Sequence, residues 1–283
     1  MVLIFLAACA PLIVVSPSPQ PPTLTPLPPS PTPILAAASV NGEIIPLAEF
    51  NAELERYQRA QSGLGKTVSA QDAASAVLDE LIAETLLAQA AQEAGFSLDD
   101  SALQARRADL AAKMGGEQAL LDWQKAQGYD EESFRRALRR SLAAAWMRDK
   151  IAAAVPASAE QVHVRQILTY NAADAQEVSD QLAAGTAFDD LAAIYDPQTH
   201  GDIGWFPRGY LQAAAIEEAA FSLEVDAVSP VIETELGFHV IKVLERQTAR
   251  PLAPDVLLAL RARAVAQWLA ERRQNSQISL APQ

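Results

Sequence analysis

QVHVRQILTY (161–170), GDIGWF (201–206), EEAAFSL (217–223) and PVIETELGFHVIK (230–242) follow one another in the stretch from Gln161 to Arg246. Their order decides the fold. Val162 to Leu168 alternates apolar and polar-capable side chains, the two-residue period of a half-buried strand. Gly237 to Val243 alternates in the same way, which puts His239 on a strand. Between these runs lie helical patterns, a glycine-rich loop and a further helix. The glycines of the 201–206 block permit a sharp backbone path. Ile203, Trp205 and Phe206 beside them supply apolar surface that has to pack or bind something.

Taken in order, V-x-V-R-Q-I-L, F-x-x-L-A at 188–192, G-D-I-G-W-F, E-E-A-A-F-S-L and P-V-I-E-T-x-x-G-F-H-V-I-K resemble the parvulin family of peptidyl-prolyl isomerases. The resemblance implies a four-stranded antiparallel sheet flanked by helices. It also implies a site that speeds rotation about X-Pro bonds, a barrier of ~18–20 kcal/mol set by amide resonance. No bond breaks in that reaction, so an apolar grip on the proline ring and polar groups around the twisting amide suffice. By resemblance, Ile203, Phe206, Leu211, Ile216 and Phe221 fall at or near the proline-pocket positions, with ordinary core packing as the competing reading of each. Leu211 and Ile216 stand where the family more often has Met and Phe, which implies a roomier or shallower pocket. The implied polar network is His239, Gln166, Asp196 and Thr234.

Two departures from the family pattern stand out. Gln166 occupies the place where the family usually has a histidine on the first strand, and a carboxamide hydrogen-bonds but does not titrate. The expectation is an isomerase of reduced activity; the alternative is a domain that keeps its fold and peptide groove without catalysis. The loop after Tyr195 is also shorter than usual, which leaves the placement of Asp196 open. His200 in that loop is read as exposed, and His163 is out of phase with Gln166 and so lies on the other side or at the edge.

Ahead of this stretch, V-N-G-E-I-I (40–45) forms a strand-turn-strand signal around Asn41-Gly42. Helical patterns follow at 73–94, 99–113, 117–127 and 131–153, punctuated by Gly95, Gly115-Gly116 and Gly128. The arrangement is similar to the N-terminal chaperone domain of SurA-like and PrsA-like exported foldases. After it, Val256, Leu257, Leu260, Val265, Trp268 and Leu269 form an apolar stripe that must be buried. The expected fold class is therefore α+β. An all-helical chaperone domain (39–156) is completed by a C-terminal helix (251–275), with the parvulin domain (161–246) inserted and 276–283 left as a tail. Gly63 to Thr67 ends like a phosphate-binding loop, but Ala60 stands where such a loop needs its first glycine.

At the N-terminus, residues 1–9 form an apolar run ending Leu6-Ala7-Ala8-Cys9, which resembles a bacterial lipobox with Cys9 as the lipidated residue. The run is short and no Lys or Arg precedes it, so the start of translation is expected upstream. Residues 10–38 are proline-rich and cannot bury a core; Ser16 to Pro33, extended at ~3.1 Å per residue, reaches about 55 Å. The net charge of −13 argues against a nucleic-acid surface. One cysteine excludes an internal disulfide, and the separated histidines offer no metal-ligand spacing. No cofactor and no metal are expected. The expected partners are unfolded or Pro-containing polypeptides and, through Cys9, the outer face of a bacterial membrane. A solute-binding lipoprotein lacks support, because no long alternation of strands and helices is present.

Overall fold

A computed structural model describes residues 35–281. Cys9, the signal-like 1–9 run and most of the 10–38 linker lie outside the described residues. Asn41 and Gly42 take φ of 52° and 88°, the left-handed pair that suits a tight hairpin. They fold β1 (Ala36–Val40) antiparallel onto β2 (Glu43–Pro46). Helices α1 (Leu47–Gly63), α2 (Ala70–Glu93), α3 (Asp100–Met114), α4 (Glu117–Ala126) and α5 (Glu131–Ala153) follow. The starts of α2, α3 and α5 are set by side-chain caps: Ser69 accepts from Asp72 N at 3.1 Å, Asp99 from Ala102 N at 2.7 Å, and Asp130 from Ser133 N at 2.7 Å.

Helix α2 buries Val77, Leu81, Ile82 and Leu86 against Ala38, Val40 and Ile45 of the hairpin. Further along, Ala88 and Ala91 meet Ala143 of α5, small side chains that let the two helices approach closely. Charge is buried here too. Arg140 on α5, its side chain 12% exposed, bonds Glu84 at 2.9 Å and also Glu49, whose side chain is 8% exposed.

The chain then leaves this domain and returns to it. The second unit of sheet contains β3 (Ser158–Thr169), α6 (Ala172–Ala183), α7 (Phe188–Tyr195), β4 (Asp202–Pro207), α8 (Ala214–Ser222), β5 (Ile232–Thr234) and β6 (Gly237–Pro251). From β6 the chain enters α9 (Pro254–Gln274) and β7 (Ile278–Leu280). Leu269 and Ile278 complete the same core that the N-terminal hairpin and α2 began. The helical domain is thus closed by the C-terminal helix, with the sheet domain inserted.

Two boundaries differ from expectation. The stretch to residue 38 is not all linker, because Ala36 to Ala38 pair with β2 and Ala38 is buried. The expected tail is not free, since Val40 pairs with Ile278 and Ala38 with Leu280. Both follow from one cause: β1 offers two hydrogen-bonding edges, and β7 satisfies the one that β2 leaves open.

The inserted sheet is four-stranded and antiparallel, in the order β4-β3-β6-β5. Ile167 and Val240 face Val178, Phe188, Leu191 and Ala192 of α6 and α7. On the other face Val162, Val164, Ile241 and Val243 meet Phe206 and the α8 residues Ile216, Ala220 and Phe221. The second face also holds the polar groups that matter next.

Candidate active site

Strand register brings the ends of the inserted segment together. Gln166 pairs with Ile241 and Leu168 with His239, so Gln166 and His239 are diagonal neighbours on one face of the sheet. His239 is only 2% exposed. Its Nδ1 lies 2.9 Å from Gln166 Oε1, and its Nε2 lies 2.8 Å from the Oγ1 of Thr234 on the adjoining β5. Burial lowers the His239 pKa below its ordinary value, which keeps the imidazole neutral at pH 7.

A neutral imidazole has one N–H and one lone pair. With the Gln166 oxygen facing the ring, Nδ1–H donates to Gln166 and Nε2 accepts from the Thr234 hydroxyl. Thr234 Oγ1 in turn accepts the Leu236 N–H at 3.1 Å. Among the described residues the Gln166 Nε2 has no hydrogen-bond partner, and this half-buried side chain keeps its N–H groups available at the site.

Glycines hold this arrangement at both ends. Gly201 (φ 69°) leaves no room for a Cβ, which would collide with the Gln166 carbonyl oxygen. Its own carbonyl accepts the Gln166 N–H at 2.8 Å. Gly237 (φ 135°) is packed in the same way against the Thr169 carbonyl.

Asp196 is not brought into the trio. Its carboxylate accepts from Thr199 Oγ1, from the amides of Gln198 and Thr199 at 3.2 Å each, and from Gly201 N at 3.3 Å. The Thr199 hydroxyl first, then these amides, hold its pKa below the usual carboxylate range. The shortened loop turns through an Asp-anchored turn, which uses up the oxygens that a network would need. His200 is exposed at φ 53°. His163 lies on the opposite face, stacked 5.4 Å from Trp205 with its Nε2 2.8 Å from Asp202.

The expected proline-pocket residues divide. Phe206, Ile216 and Phe221 are 1%, 5% and 5% exposed and form the core of their face. Phe206 meets Phe221 edge-on at 6.1 Å, and Arg208 covers the Phe221 ring at 4.2 Å. Ile203 and Leu211 are half-buried and supply the accessible apolar surface.

Two residues that hold this wall were not singled out in the sequence. The Glu217 carboxylate accepts the Gly209, Tyr210 and Leu211 amides at 2.7, 3.1 and 3.2 Å. Arg246 donates to the carbonyls of Phe221 and Leu223 at 3.2 and 2.6 Å, a cation closing the C-terminus of α8. The available signal for Glu217 was an acid in the first turn of a helix directly after a glycine loop. Arg246 carried no signal, because the α8 carbonyls it reaches are backbone and its carboxylate partner, Glu160 at 3.0 Å, lies 86 residues away in sequence.

Residues 165–245 match the model of the PPIC-type PPIASE domain, and residues 35–138 that of the SurA-like N-terminal domain. The foldase protein PrsA of Halalkalibacterium halodurans is 39% identical over 92 residues, 31% of this chain and 27% of that protein. PrsA of Bacillus subtilis is 32% identical over 91 residues, 31% of each chain. The chain thus spans less than a third of the length of these curated relatives. A crystal structure of the peptidylprolyl isomerase PrsA from Bacillus cereus shares 21% identity and covers 82% of this chain and 83% of its own, with a TM-score of 0.46.

Proposed function

We propose that this chain, in which a PPIC-type PPIase domain is joined to a SurA-like N-terminal domain, is a peptidyl-prolyl cis-trans isomerase and chaperone that assists the folding of exported proteins. One observation carries the reading: a buried, neutral His239 is held between Gln166 and Thr234 at the edge of an apolar face. The X-Pro ring would rest on Ile203 and Leu211, with Phe206, Ile216 and Phe221 as the wall behind. That surface strips water from the prolyl amide, which favours the less polar twisted state over the planar one. The free N–H of Gln166 donates to the substrate backbone while His239 and Thr234 fix its orientation. Because the amide only rotates, the network has to hold and adjust hydrogen bonds rather than deliver a proton. Asp196 acts through its loop, by setting Gly201 under Gln166.

Clients are extended, Pro-containing segments of unfolded polypeptides. Among the described residues no helix is long and apolar enough to cross a membrane; attachment is proposed through a lipid on Cys9 to the outer face of a bacterial membrane. A fatty-acid analogue that labels the wild type and spares Cys9→Ser supports the anchor, and equal labelling rejects it.

A protease-free isomerisation assay on a Pro-containing peptide tests the enzyme. Wild type should accelerate the reaction and His239→Ala should lose most of the acceleration. A second reading has its own support, since three of the expected pocket side chains fill the face themselves: a holdase that binds unfolded segments without turning them over. Wild type and His239→Ala both at the uncatalysed rate, with aggregation of a denatured client still suppressed, would establish the holdase.

A further inference from the structure

The loop that carries Leu211 is gripped from two sides. Inside its own domain, the Glu217 carboxylate takes the three consecutive amides of Gly209, Tyr210 and Leu211. From outside, Arg263 on α9 donates through Nη1 to the Gly209 carbonyl at 2.7 Å. Leu260, one turn earlier on α9, places Cδ2 3.7 Å from where a side chain on Gly209 would begin. Gly209 itself has φ of 79°, so the loop depends on a backbone shape that an L-residue rarely takes.

Beside this contact lies a cavity of about 260 Å³ lined by Val155, Pro156, Glu160, Pro207, Leu252 and Leu260. Among the described residues, Arg263 makes the one side-chain hydrogen bond from α9 to the 161–246 segment. At the Gly209 loop the helical domain thus offers one directed donor, Arg263, beside the apolar Leu260.

We infer that Arg263 is a positioning residue: from the C-terminal helix it holds the Gly209–Leu211 loop in place, so the helical domain sets how well the isomerase face grips its substrate. The inference rests on the proposed isomerase activity. Gly209 and Leu211 are two residues apart, with Glu217 fixing the amides between them. Losing the outer donor frees the carbonyl side of that loop and lets Leu211 shift over Ile203 and Phe206. The polar trio of His239, Gln166 and Thr234 lies on other elements and is left as it was. The consequence is a weaker ground-state grip with the chemical step unchanged.

The test is kinetic, in the full chain. Arg263→Ala should raise KM about two- to tenfold, the span of one net hydrogen bond, with kcat held and the melting midpoint nearly unchanged. Arg263→Lys, which keeps one donor on a flexible stem, should recover part of the loss. An unchanged KM in Arg263→Ala, with an active wild type, overturns the inference. So does a fall in kcat that tracks a loss of overall stability, because that marks a merely structural role. Backbone amide exchange provides a second readout that needs no turnover: Tyr210 and Leu211 should exchange faster in Arg263→Ala than in wild type. If wild type shows no catalysis, the isomerase reading has failed on its own, and unchanged exchange at these amides rejects the clamp separately.

Discussion

The helical domain and the inserted sheet domain both bury polar side chains, but of different kinds. In the helical domain, alongside the neutral buried Thr85 and Gln124, they include poorly exposed charges in ion pairs: Arg140 with Glu49 and Glu84, and Arg56 with Glu53 beside Tyr129. Burial, with the Glu53 carboxylate next to it, pushes the Tyr129 phenol up to about 12. In the sheet domain the trio of buried His239 with half-buried Gln166 and Thr234 is neutral. Paired charges in a poorly solvated site hold one arrangement and penalise every other. Neutral groups that both donate and accept can exchange roles at small cost. The first kind suits a frame, and the second suits a site that must follow an amide through rotation.

The sharpest way to break that contrast is to unpair a charge. Arg140→Ala should destabilise the helical domain by about 3–5 kcal/mol, because two buried carboxylates lose their cation. Denaturant unfolding of the full chain measures this. Replacing all three together, as Glu49→Gln, Glu84→Gln and Arg140→Met, should recover most of the loss. A single Arg140→Ala that costs less than the surface pair Arg136–Glu132, half exposed or more on both sides, would show that the buried cluster is not a frame.

The next effect is steric. Gly201→Ala asks for a Cβ against the Gln166 carbonyl at a left-handed φ of 69°, a strain of about 1–3 kcal/mol. The loss should fall on the sheet domain, and isomerase rate should drop with stability because Gln166 itself has to move. Gly204→Ala, with φ 76° but open space around it, should leave the trio in place.

Much of this was legible in the sequence, for identifiable reasons. The Asn41-Gly42 hairpin, the helical bundle and the inserted sheet follow from local turn chemistry and periodicity, which act over a few residues. The closeness of His239 and Gln166 was legible because the two strands share a period and the family resemblance fixed their order. The strand at 278–280 was not, since a three-residue alternation becomes a strand only when β1 leaves an edge open for it. Phe206 and Phe221 were legible as apolar and in the right place. That they fill their own hollow, with Arg208 over the Phe221 ring, is set by tertiary packing. Asp196 could not be placed from residue type alone, because its oxygens are taken by Thr199 and the amides of its own loop, contacts that residue type does not specify.

A smaller effect separates the domains by pH. Burial depresses the His239 pKa in the folded state below its unfolded value of 6.5. The unfolded chain therefore binds a proton first as pH falls, so stability is retained above about 6.5 and declines as pH drops from there through the folded pKa. His239→Gln, which keeps a donor and an acceptor, should flatten that decline. If wild type and His239→Gln lose stability in parallel between pH 7 and 5, the imidazole is not what the pH change acts on.

The smallest expected change is the most informative about catalysis. Gln166→His restores an imidazole beside His239, where a carboxamide now accepts the Nδ1–H at 2.9 Å. Two neutral rings can reverse the direction of their shared hydrogen bond by exchanging tautomers, whereas Gln166 must rotate its whole amide to do so. If reorganisation of the trio limits the rate, this variant should turn over a Pro-containing peptide a few-fold faster at unchanged stability. The same substitution removes the free N–H groups of the Gln166 amide. Should those donors to the substrate backbone be what matters, the variant will be slower and KM will rise. The sign of the change therefore decides between a network that moves and a donor that stays.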